Sequence, residues 1–227
     1  MFDSRSFFFL LSTAPFTSQT GRRIAYLRLM SKLPQFNQRS IIFIGVFGTL
    51  WGLSEATLGN VLHMLNIPFS GSILSAIGLI IILVARTYNP VPGSTAMMAL
   101  IAAFIKILSF ATVKLGPFAG ILMEGIIVEI VLMLLPLGRS AFYLAGMIVG
   151  IYPILQNLVT KTILFGLNFV PVVLDMVRGI SERFGYALGW WLVTLYVVIH
   201  IVVGLVAAEL AWRLQRRVQM LLLEHDQ

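Results

Sequence analysis

Five ionisable residues interrupt otherwise apolar stretches of this sequence: Glu55, Lys106, Glu124, Glu129 and Lys161. A charge at the centre of a membrane helix costs about 2.5–3.5 kcal/mol on an insertion scale, so such groups face a bundle interior, pair, or line a polar cavity. Lys106 and Glu124 each fall about two helical turns from one end of their stretches, and Lys161 is comparably deep in its own. Three stretches thereby offer charge to one layer. Pro153, Asn157 and Lys161 recur every four residues, which puts an amide and an ammonium on one helix face, with Gln156 and Thr160 on the adjoining stripe. Gly116, Gly120 and Glu124 share a face too, leaving space above the carboxylate.

The chemistry these types allow is recognition of a small solute, and their mixed signs favour a polar or zwitterionic one over a simple cation. Glu124 would accept from ligand N–H or hydroxyl groups, Lys106 and Lys161 would hold an anionic or carbonyl end, and Asn157 would supply an amide. The competing reading is a plain interhelical ion pair between Lys106 and Glu124. Glu129 lies nearer mid-depth on another face and is set apart from the group. Glu209 and Arg213 have the four-residue spacing of a routine helix pair.

Other chemistries find no support. There is no glycine-rich phosphate loop ending in Gly-Lys-Ser/Thr, no His-Glu-x-x-His and no Gly-x-Ser-x-Gly. His63, His200 and His225 are scattered singly, and cysteine is absent, so no metal site, thiolate cluster or cysteine nucleophile is expected. The expectation is a protein without cofactor that is not an enzyme, and any energy from ATP must come through a partner.

Stretches that position these residues dominate the chain. Of 227 residues 59% are hydrophobic and 11% charged, with a mean hydropathy of +0.95, whereas a soluble domain is about a quarter charged. Apolar runs cover 41–65, 70–85, 94–113, 118–137, 141–167 and 186–212, most of them long enough to cross a hydrocarbon core of about 30 Å as a helix. The run at 70–85 is short for this. Asn66 to Pro68, Asn89 to Gly93, Gly116-Pro117 and Gly138-Arg139 punctuate them, and Pro153 predicts a kink within the fifth. The expected fold is an all-α integral membrane bundle of about six transmembrane helices at residues 40–217, after a basic extension at 1–39 and before a short tail at 218–227.

The net charge of +7 forms no basic stripe with interleaved aromatics, which argues against nucleic acid. Instead Arg22, Arg23, Arg28, Lys32, Arg39, Arg86, Arg139, Arg213, Arg216 and Arg217 flank one side of the runs, against Lys114, Arg178 and Arg183 on the other. The positive-inside rule then predicts both termini in the cytoplasm and the polar layer in the outer half of the membrane. The segment 170–184 mixes apolar and charged residues and is expected along the outer interface. Met30-Ser31-Lys32 offers an alternative natural start to Met1; Arg5 with the apolar run 7–11 resembles a very short signal-peptide core.

The first run carries Gly48-x-x-x-Gly52-x-x-x-Ala56, small residues that let a second helix approach closely in lipid, from this chain or another. Six short-looped spans, this stripe and the polar layer together resemble the substrate-binding S components of energy-coupling-factor vitamin transporters. Trp51 to Gly59, Lys106 and Ile121 to Gly125 look like segments of bacterial membrane proteins associated with that group. The resemblance implies an S-component-like bundle that captures a vitamin or precursor outside, then docks through Gly48, Gly52 and Ala56 on a transmembrane coupling protein driven by two ATPase subunits. Family members commonly have alanines in that stripe. Two other classes stay open, a structural or assembly membrane protein without a ligand and a membrane-embedded biosynthetic enzyme.

Overall fold

The computed structural model describes residues 36–227 except 66, 68, 110–114, 166–177, 180–181, 183–189 and 226–227; the expectations for the N-terminal extension and for most of 170–184 lie outside the described residues. Regular structure among the described residues is helical, in six long helices: α1 Gln38–Met64, α2 Ser70–Tyr88, α3 Ser94–Leu108, α4 Leu115–Leu134, α5 Arg139–Phe165 and α6 Trp190–His225. Five of them hold apolar stretches of 19 residues or more, long enough to cross a membrane. The protein is a multi-pass helical membrane bundle.

Local chemistry sets the helix ends. Asn89 closes α2 with its N–H on the Ala85 carbonyl at 2.9 Å, and Pro90 cannot continue the helix. Gly93 opens α3 with φ 87°, a left-handed conformation that costs glycine nothing. The short expected second run gains a turn, since α2 reaches Tyr88 and becomes a full-length span. By contrast α3 stops at Leu108, because Ser109 is extended. Its 15 residues rise about 22 Å, less than a hydrocarbon core. Helix α6 is the opposite case: its 36 residues extend about 54 Å, so the expected tail at 218–227 continues that helix to His225.

Helix α2 touches all five others, while α1, α3, α4, α5 and α6 follow one another around it, each packed on the next. Trp51, Leu79, Leu83, Met98, Val128 and Phe142 fill the middle, whereas Ile41, Leu53, Val61, Ile130, Val202 and Leu210 point outward. In water such an apolar exterior would be an association surface; on a membrane bundle it is the lipid-facing shell.

Between helices, small residues replace the hydrophobic drive that lipid removes. A Cβ added at Gly48 would sit 2.9 Å from the Met98 carbonyl oxygen, and one at Gly52 would sit 2.8 Å from Ile105. Both glycines are buried against α3 of the same chain, so of the two partners open to this stripe, a helix of this chain or of another, the chain's own helix packs on Gly48 and Gly52. Ala56, next along the stripe, is half-buried. A tighter seam joins α5 to α6, where a Cβ on Gly204 would strike the Gly146 carbonyl and one on Gly150 would strike that of His200.

Candidate functional site

All six helices contribute to one partly open cavity of about 440 Å3. Its lining falls toward the C-terminal ends of α1, α3 and α5 and the N-terminal ends of α2, α4 and α6. The cavity therefore belongs to one pole of the bundle. Gln38, the α2–α3 turn, Arg139 and the end of α6 occupy the other.

Lys106 and Glu124 both line this space, and both are at least nine-tenths buried. They are not each other's partner. The Lys106 ammonium donates to the backbone carbonyl of Glu55 at 2.5 Å and lies 3.5 Å from the Glu55 carboxylate. It can come this close because Gly59, one turn further along α1, has no side chain; a Cβ there would stand 2.5 Å from Nζ. The competing reading of a Lys106–Glu124 pair thus gives way to Lys106–Glu55, and Glu55 also lines the cavity.

Glu124 accepts from the Ser75 hydroxyl of α2, and among the described residues this is its one hydrogen bond. A carboxylate has acceptor capacity for about four donors. Close by in sequence, Ser72 Oγ lines the same cavity, buried and without a hydrogen-bond partner among the described residues. A buried hydroxyl left unpaired in an apolar bundle costs free energy unless water or a ligand meets it.

Helix α5 brings Pro153, Gln156, Asn157 and Thr160 to the wall. Gln156 Nε2 donates to the Gly116 carbonyl at 2.7 Å, which ties α5 to the first turn of α4 across Gly120. Asn157 is exposed toward the opening. For Lys161, one turn further on, the side chain lies outside the described part of the structure, as does that of His63.

Opposite, α6 contributes Tyr196 and His200 and the turn before α2 contributes Phe69. The Phe69 ring lies 5.5 Å from both of the others. Phe69 holds φ 62°, ψ 19°, the left-handed region that a bulky side chain enters at a cost of about 1–3 kcal/mol. Such strain persists where surroundings over-determine it, and here it presents an aromatic ring to a polar cavity.

Sequence patterning points to Lys106, Glu124, Asn157, Gln156, Thr160, Gly116 and Gly120, and these share the cavity. It does not point to Ser72, Ser75, Tyr196 or His200, nor to Phe69 individually within the 66–71 loop. Serines and single aromatics inside apolar runs carry no pattern of their own. The four-residue spacing of Tyr196 and His200, which places both on one face of α6, is the available signal.

The remaining buried charges belong to the opposite pole. Arg86, a flanking cation by its sequence position, is 4% exposed, 3.2 Å from Glu129 and bonded to the Val91 carbonyl and Ser94 Oγ. Glu129 in turn accepts from the backbone N–H groups of Gly93 and Thr95 at 2.7 and 3.0 Å. This cluster caps the start of α3 from a neighbouring helix and lines no part of the cavity. Glu209 pairs with Arg213 at 2.7 Å, four residues on, and with Arg139 of α5 at 3.2 Å.

No group of three or more metal-ligating side chains occurs among the described residues. No protein-family model matches the chain, and no curated protein or solved structure shows significant similarity to it.

Proposed function

We propose that the protein is a membrane solute-binding subunit that captures a small polar molecule from outside the cell for uptake through ATP-driven partners. The observation that carries this reading is the cavity itself: about 440 Å3, within the range of small-molecule sites, walled by all six helices and holding Glu55, Lys106 and Glu124 at depth. The Arg86–Glu129 charge cluster, by contrast, lines no part of this cavity. Lys106, Glu124 and Asn157 are the contacts offered to the solute, with Lys161 expected one turn beyond Asn157.

Arg39, Arg139, Arg213, Arg216 and Arg217 lie at the pole opposite the cavity, which supports an outward-facing site and cytoplasmic termini. A vitamin or precursor as solute, and a coupling protein with ATPase subunits as partners, rest on the resemblance to S components. With Gly48 and Gly52 occupied within the chain, partner docking on α1 would use its outer face around Leu50, Leu53 and Ala56.

The test is retention. Protein purified in mild detergent carries a water-soluble molecule that mass spectrometry detects after denaturation, and Glu124→Gln or Lys106→Ala lowers its occupancy at least tenfold. Unchanged occupancy in both variants, or an empty cavity in every preparation from cell membranes together with no response to added solutes, removes the reading. The second reading, an assembly protein without a ligand, draws on the self-contained Glu55–Lys106 pair and is favoured by the empty outcome.

A further inference from the structure

Hydrogen-bond direction around the cavity is lopsided. Backbone carbonyls only accept, so an amide or imidazole bonded to one presents its donor there and keeps its acceptor for elsewhere. Gln156 gives its amide nitrogen to the Gly116 carbonyl and makes no other hydrogen bond among the described residues, which leaves its Oε1 as the uncommitted end. His200 Nδ1 lies 2.8 Å from the Tyr196 carbonyl and must carry the hydrogen, so the neutral ring has a bare lone pair on Nε2. Lys106 directs its ammonium at the carbonyl and carboxylate of Glu55.

Charge follows the same sense. Among the described lining residues there are two acids, Glu55 and Glu124, and one lysine, Lys106, besides the histidine His200, and the lysine is matched to Glu55. Glu124 has a neutral hydroxyl as its partner. A buried carboxylate without a counter-charge is costly, and it is relieved either by taking up a proton or by a cation brought in from outside.

From this pattern we propose that the cavity takes a small organic cation rich in N–H donors, such as a primary ammonium or an amidinium, bound at Glu124 with Gln156 Oε1 and His200 Nε2 as further acceptors. This rests on the solute-binding reading and keeps Glu124 as its contact, but departs from a zwitterionic solute: Lys106 is committed to Glu55 and holds no anionic end of the ligand. Ser72 Oγ, buried and unpartnered on the wall, accepts from the same group or donates to a polar atom beside it. Phe69, next to His200, offers a ring face to the charge or to its carbon skeleton.

The experiment reads the charge of the ligand directly. The molecule released from denatured protein is identified by mass spectrometry, and the thermal midpoint of purified protein is titrated with three probes of one shape and different charge: phenethylamine, phenethyl alcohol and phenylacetate. The proposal expects a released molecule with a basic nitrogen, a rise in midpoint with the amine alone, and at least a tenfold weaker amine response in Glu124→Gln, an isosteric change. Should that variant fail to fold, charge discrimination by the unaltered protein still decides. A released anion or uncharged molecule, or a midpoint that rises equally with the alcohol or more with the acid, overturns the cation proposal while leaving solute binding intact. No released molecule and no response to any probe removes both.

Discussion

The Arg86 guanidinium lies 3.2 Å from the Glu129 carboxylate, with 5% and 7% of the two side chains exposed. Between them they satisfy the α2–α3 turn, because Arg86 holds the Val91 carbonyl and Ser94 Oγ while Glu129 holds the N–H groups of Gly93 and Thr95. Removing one partner from such a pair leaves the other charge uncompensated, at about 3–5 kcal/mol. Arg86→Met and Glu129→Gln are each expected to lower the thermal midpoint in mild detergent sharply. The double variant should lose less than the sum, since the introduced glutamine keeps an oxygen for the α3 N–H groups and no orphan charge remains. Additive losses would show that the two side chains do not act as a pair.

The α5–α6 seam makes a second prediction about packing. A Cβ on Gly204 has nowhere to go but the Gly146 carbonyl, whereas one on Gly45 meets nothing within 4 Å. Gly204→Ala should therefore destabilise by about 1–3 kcal/mol, the usual cost of overpacking. Gly45→Ala should be neutral or slightly stabilising, since alanine is the better helix former by about 0.5–1 kcal/mol. Thermal unfolding of the two variants in parallel separates crowding from helix propensity; equal midpoints would mean that the seam opens freely.

These two cases also show which features sequence pattern carries. Run lengths and proline or glycine punctuation locate all six helices, because lipid imposes length and apolarity on each span separately. Lys106 and Glu124 stand out because charge inside an apolar run is rare. Partnership is harder. Glu55 lies one residue from the glycine stripe, so helical phase alone does not say whether it faces the seam or the cavity, and Lys106 has two acids within reach of a plausible bundle. Arg86 looks like a flanking cation because it is three residues from Asn89, where α2 closes; its burial depends on the return of α3 and α4 over that turn, a tertiary fact. The Gly146–Gly204 seam joins single glycines on two helices, and only their contact gives them meaning. Ser72 and His200 acquire theirs from the cavity in the same way.

Orientation can be read chemically because the chain contains no cysteine, so a single introduced thiol reports alone. Gly71 lies on the cavity wall at the start of α2 and is exposed, while Ser140 is exposed in the first turn of α5 at the opposite pole. A membrane-impermeant maleimide, which reacts with an accessible thiolate, should label Gly71→Cys on intact cells and Ser140→Cys only after permeabilisation. A bound solute should slow labelling at Gly71→Cys and leave Ser140→Cys unchanged. The reverse sidedness would put Arg139, Arg213, Arg216 and Arg217 outside, against the charge rule, and would turn the cavity to the cytoplasm. Capture from outside would then be excluded even if the cavity binds its solute, because the carboxylate that receives it would face the wrong compartment.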